Sequence, residues 1–303
     1  MRNIPLVDLS RFREGSAKEK ADFIEEIGRA FHTVGFVGVK HHGIPAALIR
    51  DFYQEAHAFF ALPEETKLSY KIPGANGQRG YTAFGTEHAK QSEVADLKEF
   101  FQIGNGGNPP VAEIPSFLPL GEELFRQFGK AGSSLLQAIA LFLGLPVDYF
   151  DQQIENGTSI LRAIHYPPIT REPASAIRAE QHEDINLITL LVGASAGGLE
   201  LLSKEGTWLP IVPEADEIVI NVGDMLQRLT NQHLCSTTHR VVNPPRSEWH
   251  LPRLSIPFFL HPRPEMDLTC LPHCIHSGKP ASYAPITAGE YLDERLREIG
   301  LKK

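Results

Sequence analysis

The run Glu180-Gln181-His182-Glu183-Asp184-Ile185-Asn186-Leu187-Ile188-Thr189-Leu190-Leu191-Val192 passes from polar and ionisable side chains directly into an apolar segment. The apolar half, Ile185 to Val192, is short enough to be a strand. Similar short apolar stretches separated by turns follow Asp151: Ile160 to Tyr166, Leu199 to Leu202, Ile218 to Val222 and Ser255 to Leu260. Short strands in succession without intervening helices predict a sandwich or jelly roll, whose wide mouth can hold a ligand between its sheets.

Upstream the period changes. Ala21, Ile24, Ile27, Phe31 and Val34 recur at spacings of three and four, which predicts an amphipathic helix from about Lys18 to Val34. Gly35 to Val39 reads as a strand, and Pro45 opens a second helix that ends near Leu62-Pro63. Residues 70 to 120, rich in Gly and Pro, read as long irregular loops over a functional opening. A third helix is expected from about Glu122 to Leu143, with Gly144 at its C-terminal cap, and a last one from about Ala288 to Gly300. The chain is therefore expected to be α+β with a mainly β core: a mainly helical region, 1–150, packed on a β core with a C-terminal helix, 151–303, as one integrated unit.

Composition narrows the function. With 303 residues, 42% of them hydrophobic, the chain can bury one large core or two modest ones. A formal net charge of −8 argues against nucleic acid or an anionic membrane as partner. The opening MRNIPLVDLSR has no apolar signal-peptide core, and no apolar run approaches the roughly 20 residues that span a bilayer. Cys235, Cys270 and Cys274 are an odd number in a long chain, which fits a reducing, cytoplasmic setting. A small-molecule substrate is the expected partner; oligomeric state is not legible.

On an extended strand His182 and Asp184 point to the same face, where one metal ion can contact both. His239, 57 positions downstream, can return on another strand as a third ligand. Two histidines and one carboxylate leave three coordination positions open, which suits Fe(II) that binds a bidentate cosubstrate and O2 together. His-x-Asp alone is more often a strand's solvated face. The added element is Arg253-Leu254-Ser255, in which Arg253 and Ser255 share a face. A guanidinium fork and a hydroxyl can hold the distal carboxylate of 2-oxoglutarate, although a surface ion pair would use the same residues.

Across nearly its whole length the chain resembles the isopenicillin N synthase-like 2-oxoglutarate and iron(II)-dependent dioxygenases. The resemblance is carried in order by Ile4-Pro5-Leu6-Val7-Asp8-Leu9, His42-Gly43-Ile44-Pro45, His165-Tyr166-Pro167-Pro168, His182-x-Asp184, Gly197-Gly198-Leu199-Glu200, Asn221-Val222-Gly223-Asp224, His239-Arg240-Val241 and Arg253-x-Ser255. It implies a double-stranded β-helix flanked by helices, with His182, Asp184 and His239 on iron and Arg253 and Ser255 on the C5 carboxylate of 2-oxoglutarate. It also implies that Tyr166 donates to that cosubstrate. Arg162, four residues earlier on the same predicted strand, can bind a carboxylate of substrate or cosubstrate. The implied reaction consumes O2, releases succinate and CO2, and hydroxylates, desaturates or cyclises the substrate. An iron oxidase on the same scaffold that does not use 2-oxoglutarate, and a non-catalytic metal-binding jelly roll, are the competing readings.

Gly80 to His88, mixing aromatic and polar residues, is the candidate substrate loop, and one of Phe258 and Phe259 is expected to line the pocket. The tail Cys270-Leu271-Pro272-His273-Cys274-Ile275-His276 looks superficially like a zinc site, but it lacks a second separated ligand pair.

Overall fold

The computed structural model describes residues 3–75, 77–88, 94–214, 216–276, 278–299 and 301–302. In chain order the strands are β1 (Leu6–Asp8), β2 (Phe36–Lys40), β3 (Gly80–Thr82), β4 (Glu99–Gly104), β5 (Ile160–Tyr166), β6 (Ala179–His182), β7 (Ile188–Val192), β8 (Leu199–Leu202), β9 (Trp208–Pro210), β10 (Glu217–Val222), β11 (His239–Val241), β12 (Arg253–Ser255) and β13 (Pro257–Leu260). The helices are α1 (Leu9–Arg13), α2 (Ala17–Thr33), α3 (Ala46–Phe60), α4 (Glu64–Ser69), α5 (Phe117–Phe142), α6 (Asp151–Ile154), α7 (Asp224–Leu229) and α8 (Ala288–Glu298).

A nine-stranded sheet runs β1-β2-β10-β7-β13-β5-β4-β3, with β12 also paired to β5, and a four-stranded sheet runs β6-β11-β8-β9. This is the double-stranded β-helix, flanked by helices. Strand alternation divides the large sheet into two chemistries. On β5, Leu161 and Ala163 join the helix-facing core, whereas Ile160, Arg162, Ile164 and Tyr166 face an internal cavity. On β13 the same rule sends Phe258 outward, stacked on Phe128 of α5 at 5.4 Å, and Phe259 inward.

The outer face is sealed by helices whose boundaries have local causes. Ser16 and Glu19 form a reciprocal capping box that starts α2, and Thr287 and Glu290 do the same for α8. Gly28 lets α2 approach α5 closely, since a Cβ there would lie 2.1 Å from the Phe142 ring. The third helix starts at Phe117, earlier than the predicted Glu122, because Pro119 falls in the first turn, where its missing N–H costs no intrahelical bond. Gly144, at φ +69°, follows its end as expected.

Several expectations need correction. Residues 70–120 are not uniformly irregular: β3 and β4 lie there, buried throughout, and add two strands to the large sheet. Both are buried on both faces, so Glu99-Phe100-Phe101-Gln102-Ile103-Gly104 shows no apolar–polar alternation to mark a strand. The β region also contains a helix, α7, and the segment read as one strand from Ser255 to Leu260 is two, β12 and β13, with Pro257 at the first position of the second, where a strand tolerates it. The last helix is described to Glu298, and its predicted end at Gly300 lies outside the described residues.

Candidate active site

His182 closes β6 and His239 opens β11, directly opposite it in the antiparallel register. Asp184 lies beyond the end of β6, so it converges with His182 through a loop and not through the strand alternation that the sequence suggests. One ligand atom from each of His182, Asp184 and His239 lies within 4.8 Å of the others. His239 Nε2 is 3.8 Å from Asp184 Oδ1, and the two imidazole centroids are 4.5 Å apart.

The surroundings fix which atom of each residue is free. His182 Nδ1 is 2.6 Å from the Glu180 carbonyl, and His239 Nδ1 is 3.1 Å from that of Thr237. A carbonyl only accepts, so both rings carry their proton on Nδ1 and turn the Nε2 lone pair toward the gap. On Asp184, Oδ2 accepts from Thr189 Oγ1 at 2.6 Å and from Asn221 Nδ2 at 2.7 Å, which leaves Oδ1 toward the histidines. Burial opposes ionisation of Asp184, but the two imidazoles and these two donors bring its pKa below the ordinary carboxylate range. Burial and the nearby His239 push His182 down, favouring the neutral imidazole that a metal needs.

The loop that presents Asp184 is held by backbone. The amides of Asp224 and Met225, at the start of α7, donate to the carbonyls of Asp184 and Asn186 at 2.7 and 3.1 Å, so helix-end donors that lack intrahelical partners tie down the loop. Gly223 makes the approach possible: a Cβ there would lie 2.2 Å from the Asn186 carbonyl oxygen. Sequence reasoning assigns no role to Thr189, Asn221 or Asn186. The signal for Asn221 is present in the Asn-Val-Gly-Asp motif, but its partner is visible only in the β10–β7 register, which sets Asn221 beside Thr189.

The triad opens on a cavity of about 480 Å³ that Arg253, Ser255, Tyr166, Arg162 and Phe259 also line. Arg253 sits opposite Tyr166 in the β12–β5 register, with its guanidinium carbon 5.0 Å from the phenol ring centroid. Its residue is 2% exposed, its Nε donates to the carbonyls of Ala196 and Gly197, each at 3.1 Å, and Nη1 is buried without a hydrogen-bond partner. Among the described residues no carboxylate pairs with it. Ser255 is buried two positions on.

Arg162 is brought to the same cavity but not left free. Its Nη1 lies 3.3 Å from both Glu87 oxygens, and its Nε donates to Gln102 Oε1 at 2.7 Å. Lys98 Nζ in turn lies 2.6 Å from Glu87 and 2.7 Å from Asp96. Of the predicted substrate loop, Glu87 and His88 reach the cavity, Gly80 to Thr82 is β3, and Phe84 is half exposed. Lys98 and Asp96 lie outside that predicted loop, and no sequence signal singles them out. The Cys270–His276 cluster does not converge on a metal-binding geometry among the described residues.

Residues 4–118 match the family described as non-haem dioxygenase in morphine synthesis N-terminal, and residues 157–262 match the 2OG-Fe(II) oxygenase superfamily. The chain is 31% identical to the 2-oxoglutarate-dependent dioxygenase htyE of Aspergillus rugulosus, over 97% of this chain and 98% of that protein. A crystal structure assigned to the 2OG-Fe(II) oxygenase family, from Caulobacter crescentus, is 42% identical, with a TM-score of 0.87 over 99% of this chain and 100% of that one. A full-length Neurospora crassa protein, solved in complex with alpha-KG, is 32% identical with a TM-score of 0.88 over 97% and 95% of the two chains. A further structure of that Neurospora crassa protein holds alpha-KG and thymine, at 31% identity and a TM-score of 0.87 over 97% and 96%. Among the described residues no helix is long and apolar enough to cross a membrane. This chain belongs to the 2OG-Fe(II) oxygenase superfamily and is a non-haem Fe(II)- and 2-oxoglutarate-dependent dioxygenase acting on a small molecule.

Proposed function

We propose that His182 and His239 bind Fe(II) through Nε2 and Asp184 through Oδ1, and that Arg253, Ser255 and Tyr166 receive the distal carboxylate of 2-oxoglutarate. The observation that carries this reading is Arg253: a buried guanidinium with an unpartnered Nη1 and no carboxylate of its own among the described residues, in the wall of the cavity onto which the triad opens. A buried cation without an anion is costly, and a dicarboxylate cosubstrate removes that cost. The donor set fits the metal, since two neutral imidazoles and one carboxylate leave positions for a chelating keto acid and O2.

With both bound, iron and 2-oxoglutarate supply O2 activation, with oxidative decarboxylation of the cosubstrate to succinate and CO2 and oxidation of the substrate. The chain's own residues do the rest. Thr189 and Asn221 keep Asp184 in one rotamer, and the Glu180 and Thr237 carbonyls hold the two imidazoles in their metal-binding tautomer. Arg253 fixes the far end of the cosubstrate, and the apolar wall around Phe36, Leu191 and Phe259 keeps water from the reacting centre.

Arg162 belongs to the substrate half in this reading. It stands four residues from Tyr166 along β5, about 13 Å at the rise of a strand, too far to share one carboxylate with the Arg253–Tyr166 pair. The regions 1–150 and 151–303 act as one catalytic unit, because β1–β4 complete the large sheet and Glu87 and Lys98 reach the cavity from the N-terminal side. The free cysteines Cys235, Cys270 and Cys274 support a cytoplasmic setting.

Asp184→Ala tests the ligand assignment. It should abolish stoichiometric Fe(II) binding and succinate release while leaving the circular dichroism spectrum unchanged; one bound iron per chain in the variant would remove Asp184 from the ligand set.

A further inference from the structure

An arginine in a ligand cavity ordinarily reads as a receptor for a carboxylate, and Arg162 carries that expectation. Its surroundings argue otherwise. Glu87 already meets it at 3.3 Å through both oxygens, Lys98 pairs with Glu87 at 2.6 Å, and Asp96 pairs with Lys98 at 2.7 Å. Among the described residues, two cations and two carboxylates, all largely buried, thus cancel in this half of the cavity, and Arg295 and Glu298 of α8, which also line it, pair at 2.8 Å. Burial opposes ionisation of Glu87, yet Arg162 and Lys98 hold its pKa at about 2, so the carboxylate remains an acceptor. A charged substrate would add an uncompensated charge to a desolvated, balanced set, which is unfavourable for either sign.

The same residues present a pattern of hydrogen-bonding groups. The Arg162 guanidinium lies over Phe100, with its carbon 4.2 Å from that centroid and 5.1 Å from that of Phe259, and Gln102 fixes its Nε. A rigid planar donor therefore stands beside the Glu87 acceptor, next to an aromatic face. We propose that the substrate is an uncharged molecule presenting an amide-type edge, a carbonyl beside an N–H, that Arg162 and Glu87 read as donor and acceptor, with Glu87 setting the preference for neutral over anionic ligands. This rests on the assignment of iron and 2-oxoglutarate to the other half of the cavity.

Calorimetric titration of the anaerobic Fe(II)- and 2-oxoglutarate-loaded protein with matched probes tests it: uracil against orotate, and nicotinamide against nicotinate. The neutral member of each pair should bind about tenfold or more tighter than its anion, and Glu87→Gln, which leaves Arg162 and Lys98 in surplus, should narrow or reverse that ratio by about tenfold. Tighter binding of the anions to the unmodified protein, no measurable binding by either neutral probe, or an unchanged ratio in a folded Glu87→Gln protein overturns the proposal. The unmodified protein's own ratio decides the matter if the variant does not fold. Binding of 2-oxoglutarate, followed separately in the same samples by its visible band with iron, reports on the cosubstrate assignment, so failure of either idea is distinguishable from failure of the other.

Discussion

Asn221 on β10 donates its side-chain amide to Oδ2 of Asp184 at 2.7 Å, across 37 positions of sequence. With Thr189 on the same oxygen, this contact selects which carboxylate oxygen faces the histidines. Removing the amide frees the carboxylate to rotate and takes away one of the donors that favour its ionised form. Asn221→Ala should therefore weaken Fe(II) binding by about 10- to 100-fold without unfolding the protein, as read by competition with a colorimetric chelator. Wild-type iron affinity in that variant would show that the orientation of Asp184 is set elsewhere.

The glycine at the start of α7 gives a prediction in which stability and metal affinity move together. A Cβ on Gly223 would lie 2.2 Å from the Asn186 carbonyl oxygen and 2.3 Å from its Oδ1, both fixed parts of the Asp184 loop. Gly223→Ala should cost about 1–3 kcal/mol in urea denaturation and lower iron affinity as well. Gly129, inside α5 with nothing within 4 Å of its added Cβ, is the control, and Gly129→Ala should stabilise by about 0.5–1 kcal/mol. Equal effects of the two substitutions would contradict the packing described around Asn186.

His261 predicts a pH dependence of stability. Burial pushes its imidazole down to about 4, and Nδ1 has no partner. Because the folded-state pKa lies below the unfolded value of about 6.5, the unfolded chain binds more protons between those values. Stability is then lost as pH falls from about 6.5 toward 4, by up to about 3 kcal/mol from this group, and is insensitive to it above that window. His261→Gln should flatten that part of the curve in metal-free protein; an identical slope would mean that His261 is not buried neutral.

Much of the site is legible from residue types and spacing. His182, Asp184, His239, Arg253 and Ser255 carry chemistry that few other side chains can supply, and ordered motifs place them on one scaffold. What escapes is set by register and loops. Asp184 reaches the triad through a turn pinned by α7, and β4 is hidden in a Gly- and Pro-rich region because its pairing with β5 is long-range. Arg162 illustrates the limit most clearly: its position on the cavity face follows from strand period, but its neutralisation by Glu87, 75 positions away, does not.

The triad and Arg253 are proposed to bind 2-oxoglutarate together, as an iron chelate. Anaerobic titration of the Fe(II)-loaded protein with 2-oxoglutarate tests it through the visible charge-transfer band of a bidentate keto-acid complex. A saturable band is expected in the unmodified protein. In Arg253→Ala the affinity should fall by about 100-fold or more, since the cosubstrate's distal carboxylate is then buried without its partner. Iron bound at one per chain with no band at any 2-oxoglutarate concentration, or the same affinity in Arg253→Ala, would contradict it.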